Sequence, residues 1–312
     1  MAFLNTLPGA VAQGLIWGLM AIGVYISYKI LDIADLTVDG SICTGACVCA
    51  LAIALGCPVW LSVVLAFIAG ALTGVVTGLL HTTLGIPSIL AGILTQLILY
   101  SVNLSTLGGK SLMAVDHRNN ELLLHMSDNM GAIVTLVLII AATIVGLWLF
   151  FYTEIGLTLK STGDNPDMSR AQGVNVNRNK VIGLAIANGI VALAGALLAQ
   201  YKGSANINDG RGAIVIGLAA IFIGLSVSMK IKPNFVVSLI GVVGGGVVYY
   251  VIYSFVILLG LKTDYLKMLS AIIVILFLAI PYLKSTYFQK QKPLPLQIVS
   301  DTEDQTGGDQ DA

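Results

Sequence analysis

Three aspartates, Asp32, Asp35 and Asp39, punctuate the join between two long apolar runs. Carboxylates in or beside a membrane are costly and often functional. Two readings stand for Asp35, Thr37 and Asp39. They break the helix and cap the second span, as a polar turn at the inner membrane face, or they act directly in gating or solute passage. Further polar side chains fall inside apolar segments at Gln96, Asn103 and Asn188. Each either lines a path for a polar solute or bonds a neighbouring helix, an interaction worth about 0.6–2 kcal/mol. Asn188 is expected to interrupt the helix that follows the longest polar stretch between apolar segments.

Other chemistries find no support. Gly109-Lys110-Ser111 invites comparison with a phosphate-binding loop, but such a loop needs a glycine five residues earlier, where this chain has Leu104. No nucleotide site is expected. His81, His117 and His125 are scattered, and no HExxH or GxSxG string occurs. Cys43, Cys47, Cys49 and Cys57 crowd into one apolar segment. Cys43 and Cys47 have the spacing of a metal pair on a helix face, yet no histidine lies near. They read as small packing residues, with no metal site and no catalytic residue.

The elements that must position these residues are apolar. Of 312 residues, 57% are hydrophobic and 10% charged, against about 25% charged in a soluble domain. Formal net charge is zero, so no nucleic-acid partner is implied. Apolar runs approach the roughly 20 residues that cross a bilayer. They fall near 10–28, 40–56, 58–80, 88–107, 131–152, 181–200, 212–228, 234–260 and 266–283. Such runs must be helical, because lipid offers the backbone no other partner. The expected fold is an all-α integral membrane protein, a polytopic bundle of about nine spans. "MAFLNTLPGA" carries no basic stretch and no cleavage-like site follows it, so the start is read as a first span rather than a removable signal peptide. With 153–180 placed in the cytoplasm, ten Lys and Arg lie on that side and six on the other, in the sense of the positive-inside rule. The N-terminus is then outside and the C-terminus inside. Residues 1–285 form the membrane domain, and the polar, acidic 286–312 segment is expected to be a disordered cytoplasmic tail.

The stretch Lys160 to Lys180, "KSTGDNPDMSRAQGVNVNRNK", breaks the apolar pattern. Asn165 then Pro166 reads as an N-cap and first helical position. Asp167 suits the dipole of the first turn, and Gly173 closes the helix in the left-handed conformation. The result is a two-turn helix from Pro166 to Gln172. It has only Met168 and Ala171 to bury, so it is either an ordinary surface helix or one that docks on a partner.

A resemblance bears on this choice. The segment from Gly156 to Gln200 resembles the cytoplasmic loop and following helix of ABC-importer permeases of the branched-chain amino acid and ribose type. It does so at Gly156, Leu159, Gly163, Asn165, Gly173 and Val174, while Ser169 stands where the family commonly has alanine. "LDIADLTVDGSICTGA" is similar to the family's second signature, and "DLTVDG" looks most like a sub-branch partly linked to aromatic amino acid uptake. The resemblance spans about residues 10–285. It implies a multi-pass subunit of the cell membrane that pairs with a second copy, as a homodimer, and with two cytoplasmic ATPase subunits. An external substrate-binding protein would deliver a small polar metabolite, an amino acid or sugar-like molecule. ATP and Mg would sit on the partner ATPase, with no cofactor in this chain. The short helix would be the coupling helix. It would be carried by Gly163, Asp164, Asn165, Pro166, Asp167, Met168, Arg170, Ala171 and Gly173, with both glycines letting the backbone turn. The alternative is a self-contained secondary carrier or channel. It would need ion-coordinating groups deep in the membrane, and only the Asp32–Asp39 cluster offers any.

The polar loop Tyr201 to Ala213 faces the other side in this topology. Its Lys202, Asp209 and Arg211 are candidate docking charges for a binding protein, with a solvated loop as the plain alternative. The longer Gly108 to Met130 loop is a second candidate. "DGSICTGA" at Asp39 echoes "DGRGAIVIGLA" at Asp209 from the opposite face, as an inverted repeat requires. Small-residue ridges at Gly14 and Gly18, at Gly70, Gly74 and Gly78, and at Gly241 to Gly246 suit close helix packing, and in a transporter could also permit sliding.

Overall fold

Helices α1 (Ala2–Tyr25), α2 (Val38–Ala54), α3 (Val59–Thr82), α4 (Ser88–Thr106) and α5 (Asn129–Phe151) lead into a short pair, α6 (Glu154–Asp164) and α7 (Pro166–Ala171). Then follow α8 (Val176–Lys202), α9 (Ala213–Ile231) and α10 (Phe235–Leu258). This is a computed structural model that describes residues 2–115, 122–124, 126, 129–231 and 234–258, with isolated positions 268, 271–272, 275 and 279. The predicted span at 266–283 and the tail 286–312 lie outside the described residues, apart from those isolated positions. Two three-residue strands, β1 (Leu112–Ala114) and β2 (Ser204–Asn206), pair antiparallel with Met113 opposite Ala205. This ribbon ties the loop after α4 to the loop after α8. Strands this short carry no periodicity that the sequence could display.

α1 and α8 form the centre. They are apolar on nearly all sides, the pattern of a core helix, and residues such as Leu19, Met20, Leu184, Val191 and Leu197 are fully buried. α3, α4 and α5 instead leave outward faces of Trp60, Leu72, Ile98 and Val137 exposed. Apolar surface of that extent needs lipid or another chain over it. Among the described residues six segments are long and apolar enough to cross a membrane: Thr6–Ile30, Val59–Thr82, Ser88–Thr106, Asn129–Phe151, Val176–Lys202 and Phe235–Ile257. Val38–Ala54 and Ala213–Ser226 are apolar but shorter.

Small residues set the packing. A Cβ at Gly70 or Gly74 would run into the backbone carbonyl of Asn188 or Leu184, and one at Gly78 would meet the Val181 Cα at 2.9 Å. So α3 lies directly on the α8 backbone. In the same way Gly14 and Gly18 seat α1 on α10, where added Cβ atoms would meet the Cα of Val247 at 2.6 Å and of Val243 at 3.0 Å. The two arrangements correspond: α3 against α8, and α10 against α1.

α1 does not lead straight into α2. The chain widens into a π-type turn, Ile26–Ile30, and reverses at Asp32, whose φ of 54° is left-handed. Asp tolerates that conformation better than most residues. Residues 33–37 then run back among the helices. Gly92, inside α4, packs against Leu36 and Thr37, and Gly40 packs against Gln96 and Leu99. α2 therefore starts beside the middle of α4, not at the bundle's end.

We expect Gly74→Val to be destabilising by about 1–3 kcal/mol or more, because backbone rather than a flexible side chain blocks the added carbon. Gly146→Val on α5 meets nothing within 4 Å and should leave thermal unfolding in detergent unchanged. Equal melting temperatures for the two variants would refute this packing account.

Candidate functional site

α6 and α7 make an angled hook at one end of the bundle. Thr153 caps α6, its Oγ1 accepting from the Gly156 N–H at 3.3 Å. The expected loop 153–180 thus contains a helix of 11 residues that the sequence reading left out. Asn165 caps α7, its Oδ1 accepting from the Met168 N–H at 3.0 Å, with Pro166 at the first turn. α7 ends at Ala171, and Gly173 follows with φ 82°. Its buried face is a single residue: Ser169 donates to the Asn165 carbonyl at 2.9 Å and touches Ser161 Oγ of α6 at 3.3 Å. Asp164, Asn165, Asp167, Met168, Arg170 and Ala171 remain exposed. Arg170 and Asp167 lie 3.4 Å apart on the open surface, a pair worth little by itself. The two apolar residues thought available for burial, Met168 and Ala171, face outward instead.

Gly163 does not serve as a turn residue. It lies within α6, where a Cβ would strike the carbonyl oxygen of Ile30. α6 therefore rests on the π-type turn. Asn179 of α8 donates to Thr162 Oγ1 at 3.0 Å, and Gly183 meets Leu31 and Leu159. The hook is thus packed on the five-residue approach to Asp35.

Asp35 is buried, and its partners are neutral. Its Oδ1 accepts from the Thr37 N–H at 2.9 Å and its Oδ2 from the Asn188 amide at 2.6 Å. Asn188 also donates to the Leu184 carbonyl at 3.0 Å and accepts from Ser41 Oγ at 2.6 Å. Ser41 lies 2.7 Å from Thr73, Thr37 lies 2.7 Å from Thr77, and Thr77 donates to Thr95 at 3.0 Å. One polar chain thus crosses α2, α3, α4 and α8. α8 runs unbroken through Asn188: the amide bonds sideways and does not interrupt the helix. Asn188 stands about 18 Å from the start of α8 at 1.5 Å per residue, deep in the bundle.

Asp39 does something different from capping its own helix. Its two carboxylate oxygens accept from the N–H groups of Gly212, at 2.8 Å, and Ile214, at 2.9 Å. These are the opening donors of α9, where an anion is favoured. Gly210 is packed against the Asp39 carbonyl, and Cys43 accepts from the Gly210 N–H at 3.1 Å while donating to the Ile207 carbonyl at 3.2 Å. So Asp39 and the Asp209–Arg211 turn, expected on opposite faces, meet. Cys43 is more than a packing residue. Among the described residues no group of three metal-ligating side chains occurs.

Beside this junction lies a cavity of about 480 Å³, within the range of small-molecule sites. Asp39, Gln96, Tyr100, Asn103, Ile207 and Arg211 are among its lining residues. Of the supposed docking charges, Lys202 and Asp209 pair with each other at 3.2 Å, whereas Arg211 stands at the cavity with Gln96 and Asp39.

A glycine-seated bundle with a polar interior and an exposed capped hook invites comparison with known transporters. The family described as branched-chain amino acid transport system, permease component, matches residues 7–278. The chain belongs to that permease family. A tyrosine transport system permease protein of Clostridioides difficile is 35% identical over 270 residues, 86% of this chain and 88% of its own. An uncharacterised protein of Rickettsia prowazekii is 32% identical over 278 residues, 88% of this chain and 98% of its own. A xylose transport system permease protein of Haemophilus influenzae is 29% identical over 99 residues, about a third of this chain and a quarter of its own. No solved structure matches.

The permease is accordingly a multi-pass protein of the cell membrane. Its site brings Asp35, Thr37 and Asn188 into one network and Asp39, Gln96 and Arg211 to one cavity. The sequence reading missed Ser41, Thr73, Thr77 and Thr95. Thr73 and Thr77, four residues apart and each three residues beyond a ridge glycine, carried a faint signal: one polar strip on the packed side of α3.

We expect Asn188→Leu to strip the donor from Asp35 Oδ2 and one partner from Ser41, at about 1–3 kcal/mol for the buried carboxylate oxygen left unsatisfied, seen as a clear fall in melting temperature. We expect Asp39→Ala to expose the first turn of α9. Amide exchange at Gly212 and Ile214 should then speed up while exchange in the middle of α8 stays slow. If those two amides stay protected, Asp39 is not what satisfies them.

Proposed function

We propose that this permease forms the solute path of an ATP-driven importer. The observation that carries the reading is the hook. α7 is a defined helix with almost no buried face of its own, and a two-turn helix is marginal alone. Its exposed residues Asn165, Asp167, Met168, Arg170 and Ala171 suit a groove on a cytoplasmic ABC ATPase. Through α6, Gly163 and Ile30, a push on the hook would reach the Leu31–Asp35 segment and the start of α2. Gly163, Asp164, Asn165, Pro166, Asp167, Met168, Arg170, Ala171 and Gly173 then form the coupling element. ATP and Mg belong to the ATPase, and this chain is not itself catalytic. A second copy completes the path as a homodimer, and an external binding protein delivers cargo, with Lys202 and Asp209 at the docking end. A membrane domain over 1–285 with nine spans, the ninth near 266–283, puts the hook and the acidic 286–312 tail together in the cytoplasm.

Asp35, Thr37, Asp39, Gln96 and Asn188 are the proposed path residues. The cargo is a small polar metabolite. The relative named for tyrosine transport covers most of this chain and supports an amino acid, aromatic ones included. The relative named for xylose covers far less and gives a sugar weaker support.

The test is co-purification. The full-length permease should carry its ATPase and stimulate ATP hydrolysis. Ala171→Trp, and Asn165→Arg, which also removes the α7 cap, should each shed the ATPase while the melting transition shows the bundle still folded. Retained ATPase and normal coupled turnover in both variants would reduce residues 165–172 to a surface helix. A wild-type permease that binds no ATPase, yet transports, would be a self-contained carrier.

A further inference from the structure

The cavity between α2, α4 and the Ile207–Arg211 turn carries chemistry that the rest of the structure does not use. Asn103 is buried, and its side-chain oxygen makes no hydrogen bond among the described residues. A buried amide left in that state costs free energy unless something else satisfies it. Among the described residues the other buried side-chain amides, all on α8, are spent: Asn179 on Thr162, Asn188 on Asp35 and Ser41, Gln200 on the Leu123 N–H and Cys49. Asn103 lines the cavity, so a group that enters it can supply the missing partner.

Arg211 supplies the second half. It lines the same cavity and forms no ion pair among the described residues, while Lys202 next to its turn is committed to Asp209. A guanidinium offers a flat, forked donor set that matches a carboxylate. Asp39 is fixed nearby with both oxygens on the α9 N-terminus. It leaves a negative centre that favours a cation over a second anion. Between these polar points the lining is mostly apolar, from Ile93, Leu97 and the ring of Tyr100. A sugar would present hydroxyls all round and would find few partners on that wall.

We infer that this cavity is a binding site in the permease itself for a zwitterionic amino acid. Arg211 holds the carboxylate, the Asn103 and Gln96 side-chain oxygens and the Asp39 charge face the ammonium, and the α4 wall takes the side chain. The inference deepens the solute-path reading and rests on it, but binding needs no ATPase and no delivery protein.

The experiment is equilibrium binding of labelled L-phenylalanine and L-leucine to full-length permease in detergent, with ATPase retention scored on the same preparation. Saturable binding is expected. Phenethylamine, without the carboxylate, and 3-phenylpropionate, without the ammonium, should compete at least about tenfold more weakly, and glucose should not compete. Arg211→Gln and Asn103→Leu should each weaken binding by about tenfold or more, and Arg211→Lys should recover part of it. Melting temperatures report whether each variant is folded. No saturable binding to wild type, equal competition by phenethylamine, or full affinity in Arg211→Gln overturns the inference. Absent binding with the ATPase retained sinks only this site. Binding without ATPase sinks only the importer reading.

Discussion

Two helices of this permease begin among other helices rather than at the end of the bundle, and their first N–H groups have to be satisfied there. The rest of the architecture depends on that constraint, since a buried helix start without acceptors is not tolerated in an apolar setting. An aspartate answers it both times. Asp35 takes the Thr37 N–H at the approach to α2, and Asp39 takes those of Gly212 and Ile214 at the start of α9. Because Asp39 stands on α2 while serving α9, the two short helices are joined at their beginnings. The carboxylates in turn need hydrogen-bond donors, and Asn188, in the depth of α8, supplies one.

From this junction the connections run toward the hook. α8 bonds α6 through Asn179, α6 lies on Ile30 through Gly163, and Ile30 is five residues from Asp35. Each contact is backbone against backbone or a buried hydrogen bond, with little slack for side-chain rearrangement. On the proposed reading a displacement of α7 cannot be absorbed by its own loop and passes to the start of α2, beside the cavity.

Much of this was legible in the residues. Long apolar runs marked α3, α4, α5, α8 and α10, and glycines four apart marked the faces on which α3 and α1 pack. Asn165, Pro166 and Gly173 marked α7 nearly to the residue, because capping is local chemistry. What escaped was non-local. The role of Asp39 depends on Gly212 and Ile214, more than 170 residues later in the chain. Asp32 to Asp39 looked like a surface turn because polar residues near an apolar run ordinarily mark a membrane face. Here the turn is drawn inside, and the serine and threonine hydroxyls that make this tolerable are spread over three helices, Ser41 on α2, Thr73 and Thr77 on α3 and Thr95 on α4. Ser169 drew notice only as a departure from the family pattern, yet it is the residue of α7 that is buried against α6. α6 escaped because its polar residues match those of a connecting loop.

The reach of the Asn188 hydrogen bonds bears on how the chain is made. Synthesis delivers the N-terminal segments first. α1 to α4 are therefore complete while the partner of Asp35 and Ser41 is still unsynthesised. Until α8 arrives, Asp35 keeps the Thr37 N–H and the hydroxyls keep one another, but the second carboxylate oxygen of Asp35 lacks the donor that Asn188 brings. The β1 strand waits likewise for β2. Insertion of α8 then closes both gaps in one event. A nascent chain arrested before that point would hold a carboxylate between its helices with only the Thr37 N–H to satisfy it.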